Sequence, residues 1–250
     1  MKVLIMVLTA TALMGFGGPF PAAAQTSDPG ATDCGVYSDR FDAFNPLRWQ
    51  EVLFTAAAPD RIFIASQDWG KVFVEDGALT LSAVQAEPTE IQVYSRFVFS
   101  GDFDVEAEYR VPDAAALTGC RFNAGLVLQT LDGEINYKCY VAATPDKGLL
   151  YRARLDRFGE INREKYLGGE ARTTGVIRMV RRGGRIAFLV QEETGWTEFC
   201  RFERPSTEKL RARFKLQTSD ETGETVGSAC PTRVMFDHFK VNECDRIIEE

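Results

Sequence analysis

The stretch Gly101-Asp-Phe-Asp-Val-Glu-Ala-Glu-Tyr-Arg-Val, residues 101–111, decides the fold class. Phe103, Val105, Ala107, Tyr109 and Val111 alternate there with Asp104, Glu106, Glu108 and Arg110. A period of two is that of a β-strand with one buried face. The same alternation marks Ile91 to Phe99, Ile135 to Val141, Leu149 to Leu155 and Ile186 to Val190. Between such runs stand Asp76-Gly77 and Gly183-Gly184, which supply the positive φ of tight hairpin turns. Further turns are expected at Asp132-Gly133 and Pro145 to Gly148. About a dozen short strands at this spacing predict an all-β, antiparallel two-sheet sandwich. Helical periodicity is confined to a possible short turn at Ser206 to Arg211.

The chain opens with Met1 and Lys2, an apolar run from Val3 to Phe20 and the small residues Ala22, Ala23 and Ala24, the pattern of a secretory signal peptide over residues 1–24. Gly15, Gly17, Gly18 and Pro19 interrupt the run, and nothing later is long enough to span a bilayer. Residues 25–35 read as a flexible leader, 36–244 as one β-sandwich domain and 245–250 as a C-terminal tail. Export to the periplasm or the medium follows. Cleavage after Ala24 would leave 28 of the 29 basic residues against all 36 acidic ones, which excludes general nucleic-acid binding. Cys34, Cys120, Cys139, Cys200, Cys230 and Cys244 all follow the leader peptide, and an even count in an exported chain favours disulfides over metal ligation.

Several short motifs carry a resemblance: Asp39-Arg40-Phe41 with Leu47-Arg48-Trp49, Glu75-Asp76-Gly77-Ala78-Leu79, Gly101-Asp102-Phe103-Asp104-Val105, Ala124-Gly125-Leu126-Val127, and the closing Phe236-Asp237-His238-Phe239-Lys240-Val241. Together, over roughly Tyr37 to Asn242, they resemble the concanavalin A-like lectin and glucanase jelly roll, in particular bacterial exported laminin-G-like and keto-disaccharide-hydrolase-like domains. The resemblance implies two curved antiparallel sheets with a concave, ligand-facing surface, and its members include lectins, hydrolases and lyases. Fold alone therefore does not fix function. It also places the opening and closing strands side by side, which implies Cys34 paired with Cys244. Cys120 with Cys139 is then expected across neighbouring strands, leaving Cys200 with Cys230. Many such jelly rolls hold calcium between the first and last strands, for which Asp39, Asp42 and Asp237 are the candidates; no other cofactor is implied. The competing reading, which we favour, has Asp39 and Asp42 capping turns and Asp237 pairing with an arginine.

Asp104, Glu106 and Glu108 are the sharpest catalytic candidates, three carboxylates about 6 to 7 Å apart on one strand face. Retaining glucanases of the resembled superfamily carry Glu-x-Asp-x-Glu on a concave-face strand, whereas here the order is Asp-x-Glu-x-Glu, and Phe103, Val105, Ala107 and Tyr109 claim the core side. The triplet therefore reads as a solvated outer face. His238 is the single histidine, and no Gly-x-Ser-x-Gly occurs, so a hydrolase triad is not expected. For binding, Gln92, Tyr94, Arg96, Asn123, Gln129, Asn136, Lys138, Tyr140, Arg152 and Arg154 would form a polar, aromatic, locally basic face suited to sugar hydroxyls and carboxylates, or an ordinary solvated sheet face. Trp69 is placed on a rim loop, Trp49 and Trp196 in the core. The leading expectation is a non-catalytic exported module binding a glycan or other polar ligand. The alternative is a polysaccharide-active hydrolase or a lyase using Tyr137, Lys138 and Tyr140. Oligomeric state is open.

Overall fold

The alternation over Ile91–Phe99 and that over Phe103–Val111 belong to one strand, which enters in one layer of the molecule and leaves in the other. The computed structural model describes residues 33–55, 70–84, 89–113, 120–145, 147–167, 171–203, 207–218 and 230–250. In chain order these form a 3-10 turn (Cys34–Tyr37), β1 (Trp49–Thr55), β2 (Gly70–Glu75), β3 (Ala78–Ala83), β4 (Thr89–Arg110), β5 (Phe122–Thr130), β6 (Ile135–Thr144), β7 (Gly148–Arg157), β8 (Glu160–Leu167), β9 (Thr174–Arg182), β10 (Arg185–Glu192), β11 (Gly195–Glu203), β12 (Leu210–Gln217) and β13 (Thr232–Glu249). The first half of β4 lies in the layer β1-β4-β12-β5-β6-β7-β8, and its second half in the layer β2-β3-β13-β4-β9-β10-β11. Every ladder is antiparallel. The architecture is the jelly-roll β-sandwich.

Gly101 makes the passage between layers possible. Its φ is +82°, and a Cβ there would lie 2.4 Å from Asp245 Oδ2, the carboxylate oxygen that accepts the Asp102 backbone N–H at 2.7 Å. Two-residue hairpins follow the announced chemistry at Asp76-Gly77 (φ +50° and +70°) and Gly183-Gly184 (+52° and +83°). A third, at Phe158-Gly159 (+53° and +82°), uses a bulky residue in the left-handed region and carries no such signal.

Between the layers, Trp49 anchors an aromatic cluster. Its ring centroid stands 5.6 Å from Phe41, 5.9 Å from Phe97, 5.5 Å from Phe214 and 5.3 Å from Phe239. The buried indole N–H donates to Asp39 Oδ2 at 2.9 Å, and Asp39 Oδ1 accepts from the Phe41 N–H at 2.8 Å. Asp39 thus caps a turn and satisfies the one polar atom of the core tryptophan.

Several expectations are corrected. The residues expected as a tail continue β13, because Arg246, Ile247, Ile248 and Glu249 pair with Ser100, Phe99, Val98 and Phe97 of β4. At the other end, the expected leader overlaps the 3-10 turn at Cys34 and Gly35, where Asp33 caps Gly35 N–H. Leu210 and Arg211 are strand residues, not helix. Trp196 is exposed, with the Arg178 guanidinium 4.7 Å above its ring, since the alternation of β11 buries Phe199 and Phe202 instead. The signal-peptide segment and Trp69 lie outside the described residues.

Cys34 bonds Cys244, but Cys120 bonds Cys230, and Cys139 and Cys200 are free and buried. The register explains why. Phe122 stands opposite Ala143 on β6, so Cys120 lies past the end of that ladder, six residues or roughly 20 Å of strand from Cys139. Cys139 and Cys200 instead point into the core, where burial pushes both thiols above their ordinary range. We expect non-reducing peptide mapping to give two disulfides, 34–244 and 120–230, with no thiol titratable in the native protein and two on unfolding. A mapped 120–139 or 200–230 link, or fast native thiol labelling, would refute the assignment.

Candidate functional site

On the layer that holds β5, β6 and β7, the side chains facing away from the core are polar and stand in register across six strands. One row runs Gln92 (β4), Lys215 (β12), Gly125 (β5), Tyr140 (β6), Arg152 (β7), Tyr166 (β8). The next runs Tyr94, Arg213, Val127, Lys138, Arg154, Glu164. A third sets Gln129, Asn136 and Asp156 together. Gly125 permits the close approach of β5 and β6, since a Cβ there would fall 2.0 Å from the Cys139 carbonyl oxygen.

All of the sequence-derived binding candidates described here lie on these strands, but the face is not the solvated surface that the alternation suggests. Asn136, Lys138, Tyr140, Arg154 and Arg213 are all at or below 8 % exposure. Tyr94, Gln129 and Arg152 are half-buried, and Arg96 and Tyr166 exposed. Tyr137, the lyase candidate, faces the opposite way: it belongs to the core, and its hydroxyl donates to Glu208 Oε2 at 2.7 Å. β12 supplies two side chains that the sequence reading missed, Arg213 and Lys215. Their signal was present in the alternation of Leu210, Ala212, Phe214 and Leu216 with Arg211, Arg213, Lys215 and Gln217.

The charges of the face do not cancel among the described residues. Asp156 takes Lys138 and Arg154, Glu90 takes Lys215 at 2.9 Å, and Glu164 accepts from Arg152 Nε at 2.6 Å. Arg213 has no ion pair among the described residues. Its guanidinium donates to Gln92 Oε1 at 2.5 Å, the Tyr94 hydroxyl at 3.1 Å and Asn136 Oδ1 at 2.5 Å, all neutral acceptors. Arg213 Nε and the Tyr140 hydroxyl, both in this interior, have no hydrogen-bond partner among the described residues. Desolvation lowers Lys215 to about 7 and Lys138 to about 8, against the opposing pull of Glu90 and Asp156. Burial would raise Glu90, but the Lys215 ammonium beside it holds the carboxyl below its ordinary value.

Asp104, Glu106 and Glu108 occupy the outer side of the other layer. Asp104, expected at the surface, is buried under the Arg178 guanidinium, whose Nε donates to Oδ1 at 2.7 Å. Glu106 is half-buried and accepts from Asn242 Nδ2 at 2.9 Å, while Glu108 is exposed. Asp104 and Glu106 thus serve cross-strand pairing with β9 and β13. Asp39, Asp42 and Asp237 do not converge as a cation site: Asp39 is spent on Trp49 and Phe41, Asp42 is exposed, and Asp237 neighbours Glu108 and His238 rather than an arginine.

No protein family matches the sequence, and no curated protein does. Solved structures share its fold. A structure from work on endo-acting O-glycanases of human gut microbiota members aligns at TM-score 0.62 and 14 % identity, over 82 % of this chain and 97 % of that one. A β-1,3-1,4-glucanase (lichenase) from a mouse hindgut metagenome aligns at 0.58 and 12 %, and the Bacillus licheniformis β-glucanase at 0.57 and 13 %, each with the same coverage. The chain therefore shares the jelly-roll β-sandwich fold of these structures.

The depressed lysines fix the sign of a pH effect. Unfolded, each holds its proton up to about pH 10.4; folded, Lys215 releases it near 7, so the unfolded state binds more protons in between and stability rises with pH. Between pH 7 and about 8.5, below the titration of unfolded thiols, we expect a gain on the order of 1 kcal/mol in urea unfolding. Lys215→Met should flatten that rise; an unchanged slope in the variant would show that Lys215 is not the group responsible.

Proposed function

We propose that this chain is an exported, non-catalytic carbohydrate-binding module that takes its ligand on the polar face of the β5-β6-β7 layer. The observation that carries the reading is the outward series on and just before β6. Glu134, Asn136 and Lys138 stand at alternate positions, an amide and an ammonium following the glutamate, so this series does not have the Glu-x-Asp-x-Glu order of retaining glucanases. General acid and nucleophile need two free carboxyl groups flanking the scissile bond. Asp156, Glu90 and Glu164 are each engaged by a cation of the same face instead.

Other features support the reading. The structural neighbours include an O-glycanase study's protein, a lichenase and a β-glucanase, all glycan-directed by their names. Arginines with fixed forks, a phenol and amides are the groups that bind sugar hydroxyls and carboxylates. At the solvent-facing flank, the Tyr166 ring lies under Lys147 at 5.5 Å and Arg152 at 5.7 Å, an aromatic platform bearing two cations. Export is supported by the N-terminal apolar run and by two disulfides; no helix among the described residues is long and apolar enough to cross a membrane.

Among the described residues of the face the cations outnumber the acids, which favours acidic glycans over neutral ones. Because an anion favours the protonated lysines, binding takes up protons, and affinity for an acidic polysaccharide should rise several-fold from pH 8.5 to 6.5 and fall with salt. A glycan array combined with a polysaccharide-degradation screen tests this. We expect retention without cleavage, and at least a tenfold loss of affinity in Arg152→Ala. Release of oligosaccharides by the unmodified protein would instead establish the polysaccharide-active enzyme, and equal retention of acidic and neutral glycans at all pH values would remove the charge argument.

A further inference from the structure

We infer that Glu108, Asp237 and His238 form a binding site for a divalent transition metal of the zinc class on the outer side of the β13-β4 ladder. Glu108 and Asp237 are direct cross-strand partners, and the core-facing neighbours Tyr109 and Phe236 fix both carboxylates outward. Simple alternation would turn the next residue, His238, toward the core. It does not, because the register slips between Asp237 and Lys240 and His238 takes φ +45°. The extra residue of this bulge leaves Phe239 in the core and swings the imidazole out beside the two acids.

The result is a nitrogen and two carboxylates with one donor atom each, all within 4.8 Å of one another. His238 Nδ1 stands 3.3 Å from Glu108 Oε1 and 3.8 Å from Asp237 Oδ2. Ligands at about 2.0 to 2.2 Å from a common ion lie roughly 3 to 3.6 Å apart, so donors now within 4.8 Å of one another would close the set by side-chain adjustments of up to about 1 Å. Asp237 Oδ1 accepts the His238 backbone N–H at 2.7 Å, which orients the carboxylate and leaves Oδ2 for the ion. Two carboxylates neutralise a divalent charge, and an imidazole selects zinc-class ions over calcium, which prefers six or more oxygens. Beside the donors, a cavity of about 320 Å³ lined by Glu108, Tyr109, Arg110, Thr174, Gln191 and Asp237 leaves the remaining coordination positions open to water or a small ligand.

His238 is the only histidine in the chain, so an untagged protein reports on the site through one imidazole. Titration of chelator-stripped, untagged protein with Zn²⁺, followed by calorimetry and by the single set of imidazole proton resonances, should show one equivalent bound with those resonances shifted. His238→Ala and Glu108→Gln should each weaken uptake at least about tenfold, while Glu160→Gln, a surface acid on β8, should leave it unchanged; far-UV circular dichroism confirms that the variants are folded. Absence of Zn²⁺ uptake, uptake that survives both substitutions, or tighter binding of Ca²⁺ than of Zn²⁺ would overturn the assignment.

Discussion

The structure depends on β4 belonging to two sheets at once. β1, β12, β13 and β9 all pair with this single strand, so both layers take their register from it. A slip of one residue anywhere along it would exchange Ile91, Val93, Phe97, Val105 and Tyr109 with Gln92, Tyr94, Asp104 and Glu108, and no core would survive in either layer. Gly101 separates the two halves and lets one alternation serve two planes. The Trp49 cluster then fills the space that the halves enclose, with Asp39 satisfying the buried indole.

That arrangement also separates two sets of charges whose chemistry differs. On the outer side of the β9-containing layer, acids and arginines meet across strands, partly in water, where each pair adds little stability. On the polar face of the other layer the same residue types are desolvated, and lysines there lose much of their preference for the charged form. Burial of Arg213 among neutral acceptors is costly in the free protein, and an arriving anion would relieve that cost. Among the described residues, the cations of this face thus outnumber the acids where water is scarce.

Much of this was legible in the sequence. Period-two alternation located β4, β6, β7 and β10, and Asp-Gly and Gly-Gly marked two of the hairpins. Phe158-Gly159 was not legible, because its left-handed turn is imposed by the flanking ladder rather than favoured by a phenylalanine. The two runs, Ile91 to Phe99 and Phe103 to Val111, join in one strand because ladders on both sides carry the chain through Gly101. For the site, the rows from β4 to β7 were readable from alternation, and those of β12 could have been. What alternation cannot give is depth: it assigns a side chain to a face but not the burial of that face, so Lys138 and Arg154 read as solvated. The cysteine pairing failed for a related reason, since adjacency of β5 and β6 does not determine where along the ladder two residues meet.

The two crosslinks are nested, 120–230 lying wholly inside 34–244. The chain therefore behaves toward a protease as a closed ring with a second clasp inside it. A cut at any peptide bond between Cys34 and Cys244 changes the number of chain ends without releasing a piece, and a cut between Cys120 and Cys230 leaves the halves joined twice. A single scission would thus be a local injury, with both sheets still held in register by β4 and the fragments still covalently one molecule.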